Sequence, residues 1–273
     1  MELKGKTAIV TGSARGIGEG IALVLAREGA NVVVNSRNVK DCEAVVQKIV
    51  SSGGKAIAIG GDVSKKADVT AMVAETVKTF GAVDILVNNA GIESHPVLTM
   101  ELAEEAWDRV LNVNLKGTFL CCQAVIPQMM KQGKGRIVNI GSTASIRMTF
   151  FGSVEYTVSK HGQAGLAQHL AWELADSNIT VNTVCPGGVQ TPLMESGTTP
   201  EYREMTIKRL IPLGRFTTME EIGEAVSFLA SDRAAMITGQ MIAVDGGLLT
   251  GFGEDLRSVV RARMEAMKAG GGH

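Results

Sequence analysis

Thr7-Ala8-Ile9-Val10-Thr11-Gly12-Ser13-Ala14-Arg15-Gly16-Ile17-Gly18 is the stretch on which the fold turns. Its first five residues are β-branched or apolar and read as a buried strand. A glycine turn follows, and beyond it Ile21, Leu25 and Ala26 recur at helical spacing until Gly29. Strand, glycine turn and helix, in that order, is the setting in which glycines accommodate a phosphate. Gly12 permits the tight turn, Gly16 lets the backbone approach a pyrophosphate, and Gly18 lets helix and sheet pack closely. The helix start adds free N–H groups and a positive dipole end for the anion. The segment therefore predicts a dinucleotide site at the first βα turn.

Working outward, strand and helix patterns alternate along the chain. Strands are expected near 6–11, 31–35, 55–60, 83–88, 135–141, 179–184 and 240–244. Helices are expected over 16–28, 39–52, 66–80, 101–131 (in one or two pieces), 154–176 and 219–230. Such alternation implies parallel strands joined by right-handed crossovers, with helices on both faces. Continuous apolar runs such as Val32-Val33-Val34 and Ile85-Leu86-Val87 fit a sheet covered on both sides. Ligands of such sheets lie beyond the carboxyl ends of the strands. Thr11, Asn35, Asp62, Asn88, Ser142 and Pro186 all fall at those ends.

Tyr156 and Lys160 stand four residues apart on the expected helix, with Ser142 upstream in Asn139-Ile140-Gly141-Ser142. Positions i and i+4 share a helix face. A lysine ammonium beside the phenol is expected to lower its pKa from about 10, toward the range useful for general acid/base catalysis. His95, His161, His169 and His273 show no ligand spacing, and no metal site is expected. Cys121 and Cys122 are vicinal, and the four cysteines form neither a metal spacing nor a disulfide framework.

Taken together these residues resemble the short-chain dehydrogenase/reductase family, with 3-oxoacyl-carrier-protein reductase-like and alcohol dehydrogenase-like members. The match runs from about Leu3 to about Thr250. Its marks are Thr11-Gly12-x-x-x-Gly16-Ile17-Gly18, Asp62-Val63, Asn88-Asn89-Ala90-Gly91, Asn114, Ser142, Tyr156-x-x-x-Lys160 and Pro186-Gly187. One departure is visible: Ser142 lies fourteen residues before Tyr156, one more than in most members. The extra residue is expected in the loop through Arg147-Met148-Thr149-Phe150-Phe151.

The resemblance implies a doubly wound Rossmann fold with a seven-stranded parallel sheet, as one catalytic domain over 1–250 followed by a helical extension over 251–273. It implies hydride transfer between a ketone and a secondary alcohol, on a 3-oxoacyl thioester or another hydrophobic ketone. Tyr156 would be the acid/base, Ser142 would orient the oxygen, and Lys160 would depress the phenol pKa and hold the ribose. Asn114 would bind a water through its backbone and link Lys160 to solvent. Gly12, Ser13, Gly16, Ile17 and Gly18 would bind the cofactor at the glycine turn, and Arg15, in the same loop, would add charge for a 2′-phosphate. Asp62 would accept from the adenine amino group, with Val63 donating its N–H. Asn88, Ala90 and Gly91 would line the cleft, and Val189 and Thr191, after Pro186 and Gly187, would hold the nicotinamide carboxamide.

The end of the second strand bears on cofactor choice. An acid there would bind ribose hydroxyls and repel a 2′-phosphate. This chain has Asn35-Ser36-Arg37-Asn38, with Ser36 where NAD-dependent members carry aspartate and a guanidinium able to pair with phosphate at Arg37. NADP(H) is therefore expected over NAD. Two alternatives stand beside this reading. One is an NAD-dependent sugar, polyol or cyclic-alcohol dehydrogenase. The other is a redox-sensing regulator that binds dinucleotide without turnover, although such a protein would be expected to lose members of the Ser142–Tyr156–Lys160 set.

Bulk properties agree. The chain of 273 residues is 45% apolar, enough for one large α/β domain. A net charge of −1 argues against nucleic acid as a partner. No apolar run approaches the roughly 18 residues of a membrane span, and the first strand begins within a few residues, so a cytoplasmic protein is expected. Leu193, Met194, Tyr202 and Met205 suggest hydrocarbon surface on the substrate. Leu256, Val259, Val260, Met264 and Met267 form an apolar stripe on a helix expected over 254–268, suited first to subunit packing, with a cover for the substrate mouth or contact with an anionic carrier as alternatives. The helices 101–131 and 154–176 carry more small and apolar residues than one face needs, among them Ala164, Gly165, Ala167 and Ala171. A homotetramer is expected, with Met241-Ile242-Ala243-Val244 as a second contact.

Overall fold

A computed structural model describes residues 1–93, 97–148 and 152–251. Seven strands form one parallel sheet in the order β3-β2-β1-β4-β5-β6-β7. They are β1 Thr7–Val10, β2 Asn31–Ser36, β3 Lys55–Gly60, β4 Ile85–Asn88, β5 Gly135–Ile140, β6 Ile179–Pro186 and β7 Met241–Val244. The chain starts at the centre, moves outward through β2 to β3, then crosses back to β4 on the other side of β1. A crevice opens where the winding reverses, between the carboxyl ends of β1 and β4.

Alternation along each strand divides the interior in two. Ala8 and Val10 of β1, with Val32 and Val34 of β2, face one core, which α1 (Gly16–Arg27), α2 (Glu43–Ser51) and α9 (Met219–Ala230) cover. Ile9 and Val33 face the other, under α3 (Lys66–Phe80), α5 (Gly117–Gln132) and α6 (Val154–Glu173). Both sets are fully buried. A period of two that is apolar at every position has this consequence: each strand feeds both layers.

The expected elements are present with small changes at their ends. The region 101–131 divides into α4 (Glu104–Leu111) and α5, joined by a π-helical turn over Asn112–Lys116. The segment 39–52 opens as a single 3-10 turn before α2. Two short helices had no expectation: α7 (Pro192–Gly197) and α8 (Pro200–Leu210). Each begins with Thr-Pro, the threonine hydroxyl accepting a backbone N–H from Met194 or Tyr202. That pair is a helix start signal, but the weak apolar periodicity behind it reads as loop.

Three expectations lie outside the described residues: the helix over 254–268, the placement of His95 and His273, and the Thr149-Phe150-Phe151 part of the substrate-side loop. The small residues of α6 are placed differently from expectation. Ala164, Ala167 and Ala171 are buried, the last two in the sheet core, while Gly165 is exposed. The outward face of α6 carries Val158 and Trp172 instead, the latter 83% exposed. Among the described residues, no helix is long and apolar enough to cross a membrane, and no His, Cys, Asp and Glu cluster could hold a metal.

Candidate active site

The first βα turn is fixed from three sides. Ser13 is fully buried; its Oγ donates to Val10 O at 2.6 Å and accepts the N–H of Asn35 at 3.0 Å, tying β1 to β2. Thr11 Oγ1 accepts the N–H groups of Asn89 and Ala90 at 3.1 and 3.0 Å. Asn89 Nδ2 returns the bond, donating to Thr11 O and Gly12 O at 2.9 Å each. In the sequence Asn89 stands only as part of a motif; its role as the clamp on the glycine turn rests on contacts between residues 77 and 78 positions apart.

The three glycines of the turn differ in what surrounds them. Gly12 has φ +62°, and a Cβ there would lie 2.8 Å from Ala90 Cα. At Gly18 a Cβ would strike the Asn89 amide and lie 2.8 Å from Ser13 Cα, so this glycine lets the turn and Asn89 close on the helix start. Gly16 has φ +61°, but a methyl there would meet nothing within 4 Å. Its open side, beside the unpaired N–H groups that begin α1, has the form a pyrophosphate needs, so the turn fits a dinucleotide. Arg15 is exposed as the residue preceding α1, and Ile17 is half-buried in its first turn.

At the neighbouring strand ends, Asn35 Nδ2 donates to Ile59 O and Gly61 O, bracing β2 against β3. Ser36 is half-buried and Arg37 exposed. Asp62 accepts from the Ser64 N–H at 2.9 Å and the Ser64 hydroxyl at 2.7 Å. Burial pushes its carboxyl up, but the Ser64 bonds and the charges of Lys65 and Arg37 outweigh this and hold it below its ordinary value. Val63 is buried against Gly117. Asn88 is 2% exposed, and its amide donates to Asn139 Oδ1 at 2.9 Å and Cys122 Sγ at 3.3 Å. Its side chain therefore braces β4 against β5 and α5. Ala90 and Gly91 continue half-buried and exposed, respectively, toward the crevice.

On the other side of the crevice, Ser142 follows β5 and caps a 3-10 turn over Thr143–Ser145. Its Oγ accepts from Ala144 N–H at 3.1 Å, and Ser145 Oγ accepts the Ser142 N–H at 3.2 Å. The Ser142 hydroxyl lies near enough to the Tyr156 phenol to lower its pKa. Tyr156 lies in the first turn of α6, and Lys160 one turn later is 5% exposed. Lys160 Nζ donates to Ile140 O at 2.8 Å and stands 5.7 Å from the Tyr156 ring centroid. The three residues are therefore together.

Their electrostatics depart from expectation. Burial raises the Tyr156 phenol above its ordinary value, Glu93 adds to the rise, and the Ser142 hydrogen bond opposes it. Burial also lowers the Lys160 ammonium to about 8, against the opposing charge of Glu93. Desolvation pushes each group toward its neutral form, and it sets the sign of both shifts.

Asn114 sits in the π-helical turn and is fully buried. Its Oδ1 accepts from Ile92 N–H at 2.8 Å, and its Nδ2 donates to Ile92 O at 3.0 Å and Ser159 Oγ at 3.1 Å. Its own carbonyl accepts from Thr118 Oγ1 at 2.7 Å. Ser159 in turn donates to Tyr156 O at 2.8 Å. Neither Ser159 nor Glu93 is singled out by the sequence; the first is visible only as the residue before Lys160. Beyond β6, a Cβ on Gly187 would lie 2.8 Å from Asp245 Cβ, so Pro186-Gly187 packs directly on the end of β7. Val189 is buried and bridges to Thr217, and Thr191 Oγ1 accepts from Met194 N–H at 3.2 Å to start α7.

A dinucleotide turn opposite a Ser–Tyr–Lys cluster, both beyond the carboxyl ends of one doubly wound sheet, defines a nicotinamide-dependent oxidoreductase. Residues 12–249 match the family described as Enoyl-(Acyl carrier protein) reductase. A 3-oxoacyl-[acyl-carrier-protein] reductase of Staphylococcus epidermidis is 45% identical over 244 residues, covering 89% of this chain and 98% of that protein. The corresponding Thermotoga maritima reductase is 40% identical, covering 91% and 100%. A putative short-chain alcohol dehydrogenase from Sinorhizobium meliloti superposes with TM-score 0.87 at 37% identity, over 92% of this chain and 99% of that one. The structure of gox2181 superposes with TM-score 0.88 at 32% identity, over 92% and 98%. The chain belongs to the short-chain dehydrogenase/reductase family and is an oxidoreductase acting on a CH–OH group.

Proposed function

We propose that this protein is an NADP(H)-dependent reductase that interconverts a ketone and a secondary alcohol, with a 3-oxoacyl thioester as first candidate substrate. The observation that carries this reading is the convergence of Ser142, at the end of β5, with Tyr156 and Lys160 on α6, the Lys160 Nζ 5.7 Å from the phenol ring and bonded to Ile140 O at 2.8 Å. The similarity to 3-oxoacyl-[acyl-carrier-protein] reductases over 98–100% of their length supports the substrate class.

Tyr156, raised by burial, holds its proton at neutral pH and can give it to a carbonyl oxygen. Ser142 accepts from Ala144, so its own proton is free to point at the same oxygen and stabilise the charge that grows there. Lys160, anchored on Ile140 O, places a cation behind the phenol. A nicotinamide cofactor, when bound, would supply the hydride chemistry. Gly12, Gly16 and the start of α1 would hold its pyrophosphate, Asp62 and Val63 its adenine, and Val189 and Thr191 its carboxamide. Ser36 and Arg37 favour the 2′-phosphate form, since no acid stands at the end of β2. Asn114 supports the site by pinning Ile92 and Ser159.

The assembly belongs to the same proposal. α5 exposes Phe119 and Met130, and α6 exposes Val158 and Trp172, on faces turned away from the sheet. Burial of these faces against a second copy, with a further contact at Met241 of β7, would give the homotetramer. The test of function is a panel of ketones and 3-oxoacyl thioesters followed at the nicotinamide absorbance, with Tyr156→Phe beside the native protein. Turnover by the variant should fall roughly 10²–10⁴-fold; a folded variant of native activity would refute the mechanism.

A further inference from the structure

Gln163 is a long polar side chain at a position where packing alone calls for an apolar one. It lies on α6, fully buried, with Ala164 and Ala167 beside it buried as well. Its Nε2 donates to Thr118 Oγ1 on α5 at 2.7 Å, and its Oε1 has no hydrogen-bond partner among the described residues. An unmade bond on a buried amide is costly, and an apolar side chain of the same length would fill the space without that cost. What the amide does there is hold one hydroxyl.

That hydroxyl leads to the site. Thr118 Oγ1 donates to Asn114 O at 2.7 Å, so its single proton is committed, and the Gln163 N–H takes one of its lone pairs. Asn114 holds the N–H and C=O of Ile92 at 2.8 and 3.0 Å and donates to Ser159 Oγ at 3.1 Å. Ser159 donates to Tyr156 O at 2.8 Å. The backbone of Gln163 is tied to the sheet: its C=O accepts from Asn139 Nδ2 at 3.5 Å, and Asn139 Oδ1 accepts from Asn88 Nδ2 at 2.9 Å. Asn88 and Asn139 are register partners near the carboxyl ends of β4 and β5. The path therefore begins at strand ends beside the crevice and finishes on the turn of α6 that carries Tyr156. Asn88, Asn139, Gln163, Thr118, Asn114 and Ser159 are each at most 3% exposed, so water does not compete for these bonds.

We propose that Gln163 is a positioning residue for the ketone–alcohol reaction, fixing the Asn114 turn through Thr118 and thereby the placement of Tyr156. The inference rests on the reading of Tyr156 as acid/base. Asn114 sits in a π-helical turn, where the regular α-helical ladder lapses. A bond from outside that ladder therefore has leverage on its geometry. The links also run in series, amide to hydroxyl to carbonyl, each polarising the next.

The test uses Gln163→Met, which keeps the length and removes the donor, with Thr118→Val, Thr118→Ser and the double variant Gln163→Met/Thr118→Val. On a ketone that native protein reduces, Gln163→Met should lower kcat on the order of tenfold, the effect of a small misplacement at the reacting centre. KM should stay within about twofold. Thr118→Val should behave alike, and Thr118→Ser, which keeps the hydroxyl, should restore the rate. The double variant should lose no more than either single one, because the two residues act in series. Native kcat in folded Gln163→Met, whatever its unfolding temperature, or losses that multiply in the double variant, would mark a merely structural role and overturn the proposal. Hydrogen exchange gives a readout that needs no turnover. The Ile92 amide, held by Asn114 Oδ1, should exchange faster in Gln163→Met and Thr118→Val than in native protein; unchanged exchange there would overturn the proposal as well. Were native protein to reduce no ketone, the functional reading would fail, while exchange at Ile92 still decided whether Gln163 governs the Asn114 turn.

Discussion

Alanine at Gly12 and alanine at Gly16 place the same methyl at nearly the same backbone angle, φ +62° and +61°, with different expected consequences. The left-handed conformation costs a non-glycine residue about 1–2 kcal/mol at either position. At Gly12 the methyl also meets Ala90 Cα at 2.8 Å. Ala90 cannot yield easily, because its N–H is bound to Thr11 Oγ1 at 3.0 Å and its neighbour Asn89 is bound to the same oxygen. Overpacking of this kind adds about 1–3 kcal/mol. Gly12→Ala should therefore unfold below Gly16→Ala by roughly 2–12 °C, at about 2–4 °C per kcal/mol for a domain of this size. Dinucleotide affinity should rank the other way relative to stability. Gly16 faces open space, so its methyl costs little in the fold but occupies the side from which a pyrophosphate reaches the start of α1. Thermal unfolding at fixed protein concentration and fluorescence titration with NADPH measure the two quantities separately. Equal destabilisation would refute the reading of the Ala90 contact. Native NADPH affinity in Gly16→Ala would refute the assignment of the open side.

Arg37→Ala should weaken NADP(H) about 10–100-fold, the worth of a charge-assisted bond to phosphate, and Ser36→Asp should shift preference further toward NAD(H). The kcat/KM ratio for the two cofactors measures this, and a native preference for NAD(H) that Arg37→Ala leaves in place would rule the assignment out. Ketone reduction should hold up to about pH 8 and decline above it, because burial lowers the Lys160 ammonium to that value and the cation is lost as pH rises through it. A kcat profile flat to pH 10 would contradict that sign. Trp172→Asp should reduce the assembly, since it puts a charge on the most exposed aromatic face of α6; light scattering that gave one unchanged oligomer mass would place the interface elsewhere.

What was legible in the sequence was local. Strand β1, the turn from Gly12 to Gly18 and helix α1 form one continuous segment, so apolar patterning and glycine positions report on the same few residues that build the structure. The helix over 66–80 is reproduced to the residue for the same reason. The i, i+4 spacing brought Tyr156 and Lys160 to one helix, and the ends of separately read strands brought Ser142 to them. What was not legible depends on residues far apart in the chain. Asn89 acts on a turn 77 positions earlier, and Asn114 joins Ile92 to Ser159 across 22 and 45 positions; a single asparagine carries no local mark of either bond.

The sign of the Tyr156 shift belongs to the same class. Spacing identifies the cation beside the phenol, and a cation alone lowers a phenol's pKa. The opposing contribution is desolvation, and its size depends on how the folded chain buries one side chain. A tyrosine that keeps its proton is a donor held ready for reduction, and the lysine behind it, free to lose its charge near pH 8, is the more adjustable member of the pair. Glu93 acts on both in the direction that keeps the proton in the site, raising the phenol and the ammonium together. The pair four residues apart is therefore biased toward a protonated phenol by burial first, with a smaller push from a residue more than sixty positions earlier that no helical periodicity could have joined to them.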